Sequence, residues 1–229
     1  MPLDRINAGE PADLRTGDPA LDDPANGATW DTARTIEARP LIEILTTPGP
    51  PIKIAGARIT GRLDLESRTL PRSLLLRACH LQHAPNLDEA SASTIRLPGC
   101  HLPGLSARQL RTTGDVELND GFTANGEVDL LGAHIGGKMT FSGATLRNPG
   151  GRSLNADRLT AVVAGLTGLI KRCPLPARPI SHFWHFSSQG ISPTTGQSFD
   201  YPTRVTARIA MTDFGLSSDR QTKESRRHQ

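Results

Sequence analysis

The sequence predicts a mainly β fold: a right-handed β-helix, or β-solenoid, of about five coils, with an N-terminal α-helical cap and an irregular C-terminal tail. The first observation behind this is a repeated phrase, a glycine and a charged residue followed by two apolar residues flanking a polar one. It runs Gly61-Arg62-Leu63-Asp64-Leu65, Gly114-Asp115-Val116-Glu117-Leu118, Gly126-Glu127-Val128-Asp129-Leu130 and Gly137-Lys138-Met139-Thr140-Phe141. Its core recurs without the glycine at Leu74-Leu75-Leu76 and Ile95-Arg96-Leu97. The second is spacing. The first apolar residues fall at 63, 74, 95, 116, 128 and 139, in steps of 11, 21, 21, 12 and 11 residues, with Leu87 and Leu105 near the two missing beats. The third is a longer copy in the same register: Gly56-Ala57-Arg58-Ile59-Thr60-Gly61-Arg62-Leu63 returns as Gly132-Ala133-His134-Ile135-Gly136-Gly137-Lys138-Met139, and Thr69-Leu70 as Thr145-Leu146.

Taken in order, residues 1–29 are rich in Asp, Pro, Gly and Ala with scattered apolar positions, which predicts an extended or loosely docked arm. Residues 30–51 form the helical cap. Asp31 suits an N-cap position, with Trp30 free to pack on the next turn. Ile36, Leu41, Ile42, Ile44 and Leu45 follow a partly helical pattern that Pro40 interrupts, so either the helix kinks there or a short second helix starts with Pro40 near its first position. The prolines at 48, 50 and 51 end it.

Residues 52–160 switch to a period of two, beginning at Ile52 and Ile54. A strand alternates sides, so Leu63 and Leu65 point inward while Asp64 points out. Strands this short cannot bury a face alone. Two per coil of about 21 residues would let each coil stack on the next, about 4.8 Å away, with glycines at the corners where positive φ is needed. After Thr160 the rhythm stops. Residues 161–229 read as an irregular, partly disordered tail in which Phe183, Trp184, Phe186 and Tyr201 could dock on the last coil and Asp213–Gln229 is disordered.

Composition narrows the function classes. Aromatic residues make up 4% and Gly plus Pro 40 positions, which suits a thin strand-and-turn core. No apolar run is long enough for a transmembrane helix, and Met1-Pro2-Leu3-Asp4 has no signal-peptide character. Three cysteines, Cys79, Cys100 and Cys173, make no disulfide framework and fit a reducing cytoplasm. The charge is uneven: residues 1–50 hold 9 acids and 4 bases, 51–161 hold 10 and 13, and 162–229 hold 4 and 9. The basic end could touch nucleic acid or anionic lipid, but charged ends are usually solvated and disordered.

Asp13-Leu14-Arg15-Thr16-Gly17-Asp18, Asp22-Asp23-Pro24-Ala25, Trp30, Arg34-Thr35-Ile36 and Gly56 to Leu65 together resemble a group of actinobacterial proteins related to pentapeptide-repeat solenoids. The resemblance covers roughly residues 10–160 and concerns architecture. Members commonly carry the label oxidoreductase or membrane-associated oxidoreductase, so it implies that activity as an alternative. Two departures stand out: Pro40 falls inside the family's capping helix, and no repeat continues past Thr160. The strict five-residue pattern is also degenerate here, so the cross-section need not be a regular square.

Candidate chemistry is sparse. Gly132 to Met139 nearly spells a phosphate-binding loop, but Met139 stands where a hydroxyl residue should follow Lys138, and no long helix comes next. Cys79-His80 and Cys100-His101 lie 21 residues apart, so stacked coils would bring them together near His83. Zinc would accept such a set. Adjacent residues of an extended strand face opposite ways, however, and cysteine packs well in a narrow core, so core packing is the expectation. His182-Phe183-Trp184-His185 has metal-compatible spacing without companion acids and reads as aromatic packing. Asp64, Glu117 and Asp129 fall outward and are expected to form charge ladders with Arg62, Arg96 and Lys138.

The expectation is therefore a non-enzymatic scaffold meeting a protein partner along its lateral face, in the cytoplasm, with peripheral membrane contact left open. No catalytic residue is identifiable, and no cofactor or metal is assigned. Nucleic acid is disfavoured as a partner. Mimicry of duplex DNA would need an acidic solenoid, whereas residues 51–161 carry 13 bases against 10 acids.

Overall fold

The computed structural model describes residues 2–149, 151–164, 185–187, 203–208 and 210–212. It is a mainly β protein whose parallel strands wind into a β-solenoid of about six turns. Each coil contributes short strands to four ladders, so the column has four faces. The first face runs Ile52, Leu74, Ile95, Val116, Met139 and Val163. The second runs Ile36, Ile59, Leu81 and on through Leu102, Ala124 and Leu146. The third is a line of bridges and two-residue strands through Asp64, Asn86, Ser106, Asp129 and Asn155. The fourth runs Leu70, Ala92, Thr112 and Ile135.

The repeated phrase occupies the first and third faces alternately, half a coil apart. That is why it beats at about 11 residues while the full coil takes about 21. In each copy the two apolar residues point in: Leu63 and Leu65, Leu74 and Leu76, Ile95 and Leu97, Val116 and Leu118, Val128 and Leu130, Met139 and Phe141 are all buried. Leu87 and Leu105, at the missing beats, are buried as well. The two-strand coil expected from the sequence is thus half of the arrangement. The second and fourth faces also turn two side chains per coil inward, as with Cys79 and Leu81 or Leu110 and Thr112, but one of each pair is often a small residue or a threonine, so the apolar period is weaker there.

The corners carry their own columns. Backbone in the left-handed region precedes the second face at Gly56, Ala78, Gly99, Asp120 and Gly143, and precedes the fourth at Ser67, Glu89, Gln109, Gly132 and Arg158. A small buried residue follows most of these turns, as with Ala57, Cys79, Cys100 and Ala144. The glycines that open the repeated phrase have a different reason. Only Gly61 has positive φ among them. A Cβ on Gly137 would run into Asp115 and the backbone of Gly114 on the coil before. Close approach of one coil to the next selects glycine there.

Six turns replace the expected five because the column starts before Ile52. Thr35–Glu37 pairs in parallel with Arg58–Thr60, and Ala12–Asp13 with Ile54–Ala55. The residues expected as an extended arm and a long helical cap therefore contain rungs of the solenoid. Helix α1 (Pro2–Asn7) buries Ile6 completely and packs against helix α2 (Ala38–Leu45) and the Ile52–Ala55 strand. Helix α2 spans Ala38–Leu45 and buries Ala38, Leu41 and Leu45. Pro40 sits in its first turn, where no intrahelical donor is lost. The short second helix is thus the form adopted. At the far end, Leu159–Ala164 continues the column in parallel, then pairs antiparallel with Thr203–Arg208. Ala210–Thr212 closes antiparallel on Arg152–Asn155. An antiparallel strand cannot propagate the coil, so the stacking direction ends there. The remainder of the tail expected over 161–229 lies outside the described residues.

Candidate functional site

The most elaborate arrangement of polar side chains is where the N-terminal arm docks across the first coils. Two arginines organise it. Arg34 follows Asp31, whose carboxylate accepts the Arg34 amide and caps a short 3-10 turn at Thr32–Arg34. Its Nε donates to the Gly56 carbonyl at 2.9 Å, and Nη1 donates to the Leu21 carbonyl at 3.1 Å and to Asp22 Oδ1 at 2.9 Å. The guanidinium lies 3.6 Å from the centre of the Trp30 ring, and Trp30 Nε1 donates to the same Leu21 carbonyl. Arg72 ties the start of the arm to the turn before Ile52: Nε donates to the Thr47 carbonyl at 2.7 Å, Nη1 to the Asn7 carbonyl, Nη2 to Asn7 Oδ1 and the Pro48 carbonyl. Both arginines are more than nine-tenths buried. Their planar forks suit clusters of carbonyls that water cannot reach.

Asp22 completes the node. Burial pushes its carboxyl up, but the amides of Thr16 and Gly17, the Thr16 hydroxyl and Arg34 together hold it below the ordinary carboxylate range. Nearby, hydrogen bonds from Arg15 hold Asp13 down at about 2. Asp13, Arg15, Thr16, Asp22, Pro24 and Ala78 line an open cleft of about 780 Å³. Its charges are paired locally, Arg15 with Asp13 and Asp22 with Arg34.

Beneath the arm runs an outward column on the second face: Arg58, His80, His101, Thr123 and Thr145 in register. His80 Nδ1 lies 2.9 Å from the Pro24 carbonyl, and Gly27 packs so closely on His80 that no Cβ would fit. The His80 and His101 rings stack at 5.4 Å, tilted by 13°. His101 Nε2 is 3.0 Å from Asn125 Nδ2, while its Nδ1 is buried without a hydrogen-bond partner. Burial, then the neighbouring His80, push the His101 imidazole below its ordinary value, against the pull of Asp23.

The coils do stack Cys79 on Cys100 and His80 on His101, as the 21-residue spacing predicts. The thiols point inward and the imidazoles outward. Both cysteines are fully buried; Cys79 Sγ approaches the Arg77 carbonyl and Cys100 Sγ the Leu76 carbonyl. Burial, reinforced by Cys79, raises the Cys100 thiol well above its ordinary range. A thiol so held is a packing residue rather than a nucleophile. His83 is exposed on the same coil.

The phosphate-loop-like segment is spent on coil contacts. His134–Thr140 is one strand that pairs with both the first-face and fourth-face strands of the previous coil. The Lys138 amide donates to Asp115 Oδ1 at 2.9 Å, so a carboxylate stands where a phosphate oxygen would have to be. These residues do not fit a nucleotide. Of the expected charge pairs, Glu117 meets Arg96 at 3.1 Å, while Asp115 also reaches Arg96. Asp64 pairs with Asn86 rather than Arg62, and Asp129 with Arg108 and Asn155 rather than Lys138. Cys173, His182, Phe183, Trp184 and Tyr201 lie outside the described residues, and only the backbone of His185–Ser187 is described there.

The two buried arginines are what sequence reasoning missed. Nothing in the runs Thr32-Ala33-Arg34 or Leu70-Pro71-Arg72 distinguishes a buried arginine from an exposed one. Among the described residues no helix is long and apolar enough to cross a membrane, and no cluster of His, Cys, Asp or Glu suits a metal ion. No family model matches the chain, and no curated protein or solved structure matches it either.

Proposed function

We propose that the protein is a non-enzymatic scaffold whose solenoid presents a lateral face to a protein partner. The observation that carries this reading is the polar ladder on the third face. Asn86 Nδ2 donates to both Asp64 Oδ1 and Glu66 Oε2 at 3.0 Å, spanning one coil step. Asp88 Oδ1 accepts the Ser106 hydroxyl at 2.6 Å and the Arg108 amide at 2.9 Å, spanning the next. Asn155 Nδ2 donates to Asp129 Oδ1 at 2.7 Å, spanning the last. Acceptor groups are thereby fixed in a row at the coil spacing of about 4.8 Å. Such a row recognises donors at matching positions on another surface, and basic side chains supply them best. The inner side chains of the same coils fill the column.

The oxidoreductase reading would need a flavin or nicotinamide site, and the glycine phrase nearest to one is consumed between coils. Crosslinked capture from the native cell separates the readings. Wild-type protein and Glu117→Lys, altered on the opposite face, should capture the same partner. Glu66→Lys with Glu89→Lys, the Glu89 carboxylate accepting the hydroxyl of Ser67 beside the ladder at 3.2 Å, should lose it. A flavin bound stoichiometrically to the purified protein, read from its absorbance, would overturn the scaffold in favour of the enzyme.

A further inference from the structure

We infer that the basic end of the chain covers the third face of its own molecule: residues 220–227, with Arg220, Lys223, Arg226 and Arg227, dock on the carboxylates of the first coils and compete with a partner for them. The inference rests on the third-face reading given above and names a ligand held in cis. Topology supplies the first argument. Ala210–Thr212 pairs antiparallel on Arg152–Asn155, the last strand of the third ladder, with Ala210 opposite Asn155 and Thr212 opposite Arg152. The chain therefore leaves its last described strand on this face. From Asn155 the ladder runs back through Asp129, Ser106 and Asn86 to Asp64, four coil steps or about 19 Å at the usual strand spacing. Residues 213–220 span up to about 26 Å when extended, so Arg220 and the bases after it can reach the first coils.

Charge supplies the second. Asp64, Glu66, Asp88 and Glu89 form no ion pair among the described residues. Their carboxylates accept from neutral donors, among them the Asn86 amide, the Ser106 hydroxyl, the Arg108 backbone amide and the Ser67 hydroxyl. Further along, Arg108 already pairs with Asp129 and Arg152 with Glu127. Uncompensated negative charge is thus concentrated at the first coils. The order of charges after Thr212 matches. Asp213 and Asp219 come first and would pass Arg152 and Arg108; the four bases follow, with Glu224 the one acid among them. Guanidinium and ammonium groups on these carboxylates make charge-assisted hydrogen bonds. Each exposed pair is weak alone, but a segment tethered to the same molecule acts at an effective concentration on the order of millimolar. The face is then open to a partner that binds it more tightly than the tail does.

A spin label tests this on the full chain. With Cys173→Ser and Ser225→Cys, a nitroxide attaches at residue 225 alone, because Cys79 and Cys100 are buried. The amide resonances of Asp64, Glu66, Asn86 and Asp88 should be lost to broadening, while those of Thr123 and Thr145 on the second face are retained. Glu66→Lys with Glu89→Lys should restore them, as should salt at about 1 M, which screens exposed pairs. Should the lysine pair not fold, the salt series decides. Sharp third-face resonances, broadening spread evenly over all faces, or broadening that survives the salt would overturn the inference. So would broadening of isotope-enriched copies without nitroxide when mixed with nitroxide-bearing ones, which would assign the docking to a second copy. Partner capture is scored separately. A tail held on the face with no partner captured counts against the scaffold reading alone, and a captured partner with sharp third-face resonances sinks this inference alone.

Discussion

At the residue scale the inward and outward alternation is the claim most open to direct test. Leu118 is fully buried on the first face of a middle coil, and Glu117 beside it is half-exposed and pairs with Arg96. Leu118→Asp loses the packing of a core leucine and places a carboxylate among aliphatic side chains, so a loss of about 4 kcal/mol or more is expected in chemical denaturation. Glu117→Lys removes one partly exposed ion pair while Asp115 still reaches Arg96, and should cost less than about 1 kcal/mol. Similar losses from the two would contradict the facing. Gly137→Ala belongs with the first. Its Cβ meets backbone of the coil before, which cannot swing aside as a side chain could. A loss of roughly 1–3 kcal/mol is expected in the same denaturation experiment.

At the element scale the solenoid was legible and the arm was not. A phrase such as Val116-Glu117-Leu118 announces its facing because two apolar residues flank a polar one, and its return after a fixed interval announces stacking. The second and fourth faces left a weaker trace, since inward pairs such as Cys79 and Leu81 or Leu110 and Thr112 mix a small or polar residue with an aliphatic one. The first rungs were hidden for a similar reason: Ala12–Asp13 and Thr35–Glu37 bond through backbone, and their composition resembles a loop. The arm's order depends on side chains far apart in sequence, Asn7 with Arg72 and Asp22 with Arg34, which no local pattern records. Arg72→Lys tests that dependence. An ammonium on a flexible stem cannot reach the carbonyls of Asn7, Thr47 and Pro48 in the geometry of the guanidinium, and leaves some of them buried and unpaired. A loss of about 2–3 kcal/mol is expected, together with faster proteolysis before residue 50 and unchanged β-type circular dichroism. Asp22 makes the arm's docking depend on pH. Its folded value is depressed, so its contribution is whole above the ordinary carboxylate range and disappears as pH falls through the lowered value. Asp22→Asn should flatten the acid limb of the stability profile there.

At the scale of the whole molecule, each coil touches only the coils on either side. The backbone ladder shows this directly: the Ile95 amide bonds the Asp115 carbonyl, Leu97 bonds Glu117, and Leu118 bonds Thr140, each reaching one coil onward and no further. In such a column stability is a sum of coil terms and neighbour terms, so damage should spread according to position rather than size. Ile36→Ala and Leu118→Ala both truncate a buried aliphatic side chain, and each should cost about 2–5 kcal/mol locally. Ile36 lies on the first rung of the second face, where the loss can be absorbed by fraying the end. Native-state hydrogen exchange should then show weakened protection at Thr35–Glu37 and Arg58–Thr60, with the amides of Leu97 and Leu118 unmoved. Leu118 lies mid-column, where fraying is not available without parting the coils on both sides, so its truncation should lower protection in all of them. Equal weakening of every amide by Ile36→Ala would mean that the molecule unfolds as one unit and that stacking does not govern its energetics.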